Sequence, residues 1–227
     1  PSGKIYELKN DQLLTERVFR GLRKDFHNHH NKLLNKNYFN KLIQSEMVVK
    51  TTLKNINDTE FHQIKEDGWN GIVEHEKLDF ISYPYEWSFS MLKDAALLHL
   101  FIIKKSLEND WIIKDASSFN IQWKKNKPIF IDTASFMPCE DKLEWKGYNQ
   151  FISMFLNPLL IKTHLNLNFN DILRSNLEGI STENALKYFQ FLNKFKKGVF
   201  SHIFLPEIIK KFLKKNNKTK KIKQKKN

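Results

Sequence analysis

The chain has 227 residues, 41% hydrophobic and 13% aromatic, with a formal net charge of +13 at pH 7. That apolar content excludes an intrinsically disordered protein, and the length suffices for one sizeable core or for a small lobe beside a larger one. The single cysteine, Cys139, excludes an internal disulfide and predicts a reducing, cytoplasmic setting.

The charge is unevenly placed. Residues 210–227 hold ten lysines and no acid, which leaves +3 for residues 1–209. This tail is low-complexity Lys/Asn sequence, and residues 214–227 are expected to be disordered. A lysine arm can hold nucleic acid non-specifically, but no aromatic residue interleaves the lysines after Phe212, so base stacking is not expected. A solvated terminus is the preferred reading. The longest apolar runs, such as Ala95–Ile103, are interrupted by His99 and too short to cross a bilayer, so no membrane span is expected. The first residues, PSGKIYELKN, lack the apolar core of a secretory signal, and the start at Pro1 without Met marks an expected fragment.

In chain order, Gly3–Leu8 and Leu13–Phe19 read as strands around a turn at Lys9–Gln12. Leu22–Gln44 has helical period, with Phe26, Leu33, Leu34, Leu42 and Ile43 as core positions. Met47–Leu53 is β-branched and reads as a strand; Asn55–Gln63 is ambiguous; Ile72–Ile81 reads as one long strand or a pair. Ser82–Trp87 is a stiff aromatic connector, because Pro84 cannot continue a helix. Ser88–Leu107 is a helix with a broad apolar face. Ile121–Trp123 and Pro128–Ile131 form a hairpin around Lys124–Lys127. Four helical stretches follow, Trp145–Ile161 (kinked or ended by Pro158), Phe169–Leu177, Thr182–Phe195 (capped by Ser181) and Phe200–Leu213.

The stretch richest in chemistry is Trp111–Phe136. Asp115 is followed five residues later by Asn120, and twelve after that by Asp132, at the end of the apolar run Pro128–Ile131. Phosphoryl transfer needs positioning and charge neutralisation more than covalent chemistry. One carboxylate must orient the attacking hydroxyl or accept its proton; a second carboxylate and an amide oxygen must hold Mg²⁺, which prefers hard oxygen ligands. In the D-x4-N order of kinases, Asp115 is the base, Asn120 a metal ligand, and Asp132 the second metal ligand. The same residues also suit turn capping and strand ending, as Asp and Asn commonly do.

These strings resemble a kinase-like N-terminal module of bacterial nodulation-associated proteins and of proteins that carry a methyltransferase label. The resemblance rests on Arg17-Val-Phe-Arg20, Glu74-His-Glu-Lys77, Ser82-Tyr-Pro-Tyr-Glu-Trp87, Lys114-Asp-Ala-Ser-Ser-Phe-Asn120, Pro128-Ile-Phe-Ile-Asp132 with Ser135-Phe136, and Tyr148-Asn-Gln-Phe151 with Phe155-Leu-Asn-Pro-Leu159. It implies an α+β, two-lobed protein-kinase-like fold. A small strand-rich N-lobe would take residues 1–82 and a mainly helical C-lobe residues 83–213, with the tail beyond. It also implies ATP and Mg²⁺ as cofactors. From their positions, Lys50 and Arg20 could each reach a phosphate or stand as solvated strand edges, and Glu86 could contact the nucleotide at the connector or cap the helix that begins near Ser88. The sequence departs from the common kinase pattern: Lys114 stands where Arg is usual, and there is no G-x-G-x-x-G loop and no V-A-I-K string. No glycine-rich loop supports methyl transfer by these residues themselves.

The expected activity is therefore phosphoryl transfer from ATP to a small-molecule or carbohydrate hydroxyl. The alternative is an inactive kinase-like binding module serving a methyltransferase domain or partner, with an exposed apolar patch on the Trp145–Ile161 helix. Two minor readings stand beside these. His27 and His30, three apart on a helix, could share a metal-ligating face. Glu74 and Glu76, alternating on a strand, could form half of a glycosidase pair.

Overall fold

The computed structural model describes residues 3–10, 15–139 and 145–213. It is an α+β structure with small antiparallel sheets. By compactness the chain divides into a first unit, residues up to Tyr83 together with Asp94–Gly147, and a second, Pro84–Lys93 together with residues from Tyr148 onward.

The first unit opens with β1 (Gly3–Asn10) and β2 (Thr15–Leu22), paired in register from Gly3 with Leu22 to Asn10 with Thr15. The described strand runs past the expected Phe19 to Leu22; Leu13, Leu14 and the second half of the expected turn lie outside the described residues. The long helical stretch is two helices, α1 (Lys24–Leu34) and α2 (Asn37–Gln44). The break follows Asn35, whose amide donates to the Asn31 carbonyl at 2.9 Å. Asparagine competes for backbone in this way and so favours helix ends. β3 is Thr51–Lys54 rather than Met47–Leu53, because Val48 instead makes an isolated parallel bridge to Phe130. A short helix α3 (His62–Glu66) follows the ambiguous stretch, and β4 is Gly71–His75, ending well before the expected Ile81. The sheet order is β1-β2-β4-β3, all neighbours antiparallel.

One face of this sheet buries Phe19 and Ile72 against Phe61 and Ile64, with Tyr6, Leu8, Ile56 and Trp69 packed around them. On the other side, Gly71 lets His27 of α1 lie directly on the strand: a Cβ there would come within 2.1 Å of the His27 ring. A larger residue would push the helix off the sheet.

α4 (Phe89–Leu107) agrees with its apolar pattern to within a residue. The unit continues with β5 (Trp111–Ile113), the hairpin β6 (Ile121–Lys124) and β7 (Lys127–Phe130), and β8 (Phe136–Pro138). The hairpin is the expected one, closing through Lys125 and Asn126. The pairing of β5 with β8 was not anticipated; it sets Ile113 opposite Phe136. Phe136 packs edge-on against Phe39 and Phe130, with ring centres 5.1 and 5.7 Å away.

In the second unit, Pro84–Glu86 is a single 3-10 turn. The expected Trp145–Ile161 helix is α5 (Tyr148–Phe151), a π-helical stretch Ile152–Leu156, and α6 (Asn157–Leu165). Pro158 stands in the first turn of α6, directly after the π-helical stretch, where a missing N–H is tolerated. α7 (Asn170–Ser175) is tied down by the Asn170 amide, which donates to the Tyr85 and Trp87 carbonyls at 3.0 and 2.9 Å. α8 is Thr182–Tyr188, capped as expected: Ser181 Oγ accepts from the Asn184 N–H. A 3-10 stretch Phe191–Phe195, a π stretch Phe200–Phe204 and helix α9 (205–213) complete the described chain.

Candidate functional site

The site is built inside the first unit, where a sheet strand meets the loop after a hairpin. Side chains alternate along a strand, so Phe19 in the core face puts Val18 and Arg20 on the opposite face. The register sets Arg20 opposite Val73, and both Val18 and Thr51 opposite His75, so Arg20, Thr51 and His75 share that face.

The hairpin delivers its acid to the same place. The Ile131 N–H donates to the Asn120 carbonyl at 2.9 Å, which closes the hairpin one pair beyond its last strand residues and brings Asp132 out beside Asn120. Arg20 Nη1 then donates to Asp132 Oδ1 at 2.5 Å, both side chains being less than one-fifth exposed. The Ser135 hydroxyl donates to the other carboxylate oxygen, Oδ2. Burial pushes the Asp132 pKa up, but the Arg20 charge and the hydrogen bonds from Ser135, Arg20 and Ala134 outweigh it and hold the group below its ordinary 3.8. These three donors leave the carboxylate at most one lone pair for a further partner.

The loop from Asp115 to Asn120 is tied to the same turn at both ends. Lys114 N–H donates to the Ser135 carbonyl at 3.0 Å, and Asn120 holds Ile131 as described. Asp115 Oδ1 accepts from the Ser117 N–H at 3.0 Å and so caps its own turn, as the structural alternative anticipates. Its second oxygen is not used by that cap. Asn120 Nδ2 and Arg20 Nε are buried and have no hydrogen-bond partner among the described residues. A buried donor without an acceptor is costly, so a group rich in acceptor oxygens gains by binding there.

Two histidines join this cluster, and neither was expected in it. His30 Nδ1 lies 3.0 Å from the Phe26 carbonyl, which can only accept, so Nδ1 carries the proton; Nε2 then accepts from Thr133 Oγ1 at 3.0 Å. Thr51 gives its own proton to the Val49 carbonyl, so it accepts from His75 Nδ1 at 2.9 Å. His75 Nε2 is left as a buried acceptor without a partner among the described residues. Burial lowers the His30 pKa to about 4 and the His75 pKa to about 3, with the Arg20 charge pushing both the same way. Both rings are neutral at pH 7. The EHEK and HNHH strings flagged these residues, but only the long-range fold shows that His30 ties helix α1 to the turn after Asp132.

That tie overturns the metal reading of His27 and His30. Both His30 nitrogens are engaged, and His27 is packed on Gly71. Among the described residues, no group of three or more His, Cys, Asp or Glu side chains could hold a metal ion. The glycosidase reading fails as well. Glu74 is neutralised by Arg17 and Lys54, at 2.7 and 2.8 Å, and Glu76 by Lys124 at 2.7 Å.

Lys50 and Glu86 take other places. Lys50 is exposed and lines, with Lys54, Glu74, Glu76 and Lys124, a cleft of about 720 Å³ whose walls include His75 of the cluster but not Arg20 or Asp132. Glu86 is exposed at the end of its 3-10 turn, in the second unit.

The class so defined is an α+β structure in which a strand-borne cation, Arg20, meets the acid that follows a β-hairpin, Asp132. No known family model matches the chain. The chain is similar to the nodulation protein NoeA of Rhizobium meliloti (strain 1021), at 34% identity over 166 residues, or 72% of this chain. It spans about a third (35%) of that protein's length. Among the described residues, no helix is long and apolar enough to cross a membrane.

Proposed function

We propose that this chain is a kinase-like phosphotransferase module of a bacterial, nodulation-protein-like chain. It would adopt the two-lobed kinase-like arrangement and act in the cytoplasm on a small-molecule or carbohydrate hydroxyl, with ATP and Mg²⁺. The observation that carries this reading is the Arg20–Asp132 pair. Kinases carry a lysine on a strand of the small sheet to hold phosphates, and an aspartate after the catalytic-loop hairpin to hold magnesium. Here a strand-borne cation of the four-stranded sheet meets the aspartate that follows the hairpin at 2.5 Å.

The donor set suits the group. Asp132 is held ionised, Asn120 offers an amide oxygen, and both are hard ligands of the kind Mg²⁺ takes alongside phosphate oxygens. Bound Mg·ATP would supply the phosphoryl group and part of the charge neutralisation. Arg20, an obligate cation with a planar fork, would turn from Asp132 to phosphate oxygens. Asp115, with one oxygen outside its cap, would orient the acceptor hydroxyl and take its proton. His30 would hold the Asp132 turn in place through Thr133.

The second reading, an inactive kinase-like module serving a methyltransferase domain or other partner, draws on the same pair: Arg20 and Ser135 already engage both oxygens of Asp132. ADP formation from ATP in the presence of a panel of carbohydrate and small-molecule hydroxyl acceptors, together with ATP binding, followed with and without Mg²⁺ in wild type and Asp115→Asn, separates the two. The phosphotransferase reading expects turnover that falls about 10²–10⁴-fold in the variant while nucleotide binding persists. Absence of any magnesium-dependent turnover or binding favours the inactive module.

A further inference from the structure

Helix α9 is built the wrong way out for a helix that serves only its own fold. Leu205, Ile208, Ile209 and Phe212 fall at i, i+3, i+4 and i+7, the spacing of one apolar stripe, yet all four are exposed, Phe212 to 64%. On the opposite side of the helix, Glu207 is only 5% exposed and pairs with Lys210 at 3.4 Å. The stripe extends backwards into the preceding π turn. Phe200 is also exposed and stacks on Phe195 at 6.0 Å, with Phe204 against both rings. Lys194 sits over the Phe204 ring at 5.6 Å.

An outward apolar stripe marks an interaction surface. Its surroundings select the partner. Residues 210–227 carry ten lysines and no acid, directly beside the stripe in sequence. A second copy would bring the same positive charge against itself. Nucleic acid is disfavoured by the lack of aromatic residues among the lysines after Phe212. Apolar insertion together with a polybasic segment is the two-signal combination that holds a protein on an anionic bilayer.

We propose that the α9 stripe and the adjoining lysines form a peripheral docking surface for an anionic lipid membrane. The stripe inserts at the headgroup level while the lysines neutralise lipid phosphates. This inference stands apart from the phosphotransfer reading and survives its failure.

The test is co-sedimentation of the full chain with vesicles of phosphatidylcholine alone or mixed with phosphatidylglycerol, across a salt series. Wild type is compared with Ile209→Ser/Phe212→Ser, and its fold is checked by circular dichroism. Because both positions are exposed, that variant keeps the fold. The expected result is binding to the phosphatidylglycerol vesicles only, weakened by salt and reduced about tenfold or more by the double substitution. Three outcomes overturn the proposal: no binding to anionic vesicles, binding that the double substitution leaves unchanged, or sedimentation velocity showing a dimer that the double substitution dissociates.

Discussion

Arg20 and Asp132, 112 positions apart in the chain, are joined at 2.5 Å between a sheet strand and the turn after a hairpin. The pair ties strand β2 to the turn after the hairpin, and it decides both a stability prediction and a functional one.

Arg20→Ala would leave the Asp132 carboxylate largely buried with its main counter-charge gone. Removing one partner of a buried pair costs about 3–5 kcal/mol, whereas replacing both by apolar residues of similar volume is often neutral. Urea unfolding is expected to show a large loss for Arg20→Ala and a much smaller one for Arg20→Met/Asp132→Leu. Equal losses would mean that the pair is not the tie described.

Acid sensitivity follows from three buried histidines. Burial lowers the pKa of His30 to about 4 and of His75 and His99 to about 3, from an ordinary 6.5. Above pH 6.5 the rings are neutral in both states and cost nothing. Between 6.5 and about 4 the unfolded chain takes up protons that the folded protein refuses. Stability therefore falls with pH, by up to about 1.4 kcal/mol per unit for each ring. The depressed Asp132 carboxyl adds a further loss only below its ordinary 3.8. Melting temperatures between pH 7.5 and 5 should drop steeply, and less steeply in His99→Phe, whose ring would still pack against Phe130 and Trp145.

Gly179 holds φ +82°, and a Cβ there would lie 2.5 Å from the Ser153 carbonyl oxygen, which already accepts from the Ile180 N–H at 2.8 Å. Gly179→Ala therefore combines left-handed strain of about 1–3 kcal/mol with a clash against fixed backbone. A lowered denaturation midpoint with unchanged slope would bear this out.

Ser181→Ala removes the oxygen that caps α8 through the Asn184 N–H. The expected cost is about 1 kcal/mol, with Ser181→Asp restoring most of it. A loss that Asp does not restore would count against the cap.

Local chemistry made part of this molecule legible in the sequence. The β6–β7 hairpin, helix α4 and the Ser181 cap could be read because each depends on residues a few positions apart. The order of Asp115, Asn120 and Asp132 around the hairpin belongs to the same kind. What lay beyond reach depends on distant partners. Periodicity runs through Asn35 and Lys36, so the α1–α2 break was hidden. Val48 looks like a strand residue and is one only as a lone bridge to Phe130. Neither the β5–β8 pairing nor the His30–Thr133 tie leaves any local signal. The outward α9 stripe has the pattern of a core-facing helix, and only the fold shows which way it points.

The central claim is that Asn120 and Asp132 hold a magnesium–nucleotide complex. Calorimetric titration of ATP into wild type and Asn120→Ala, with and without Mg²⁺, tests it while leaving the Arg20–Asp132 pair intact. Magnesium-dependent binding in wild type that the substitution weakens at least about tenfold is the predicted result. Binding absent from wild type, or equal in the two proteins, contradicts the account.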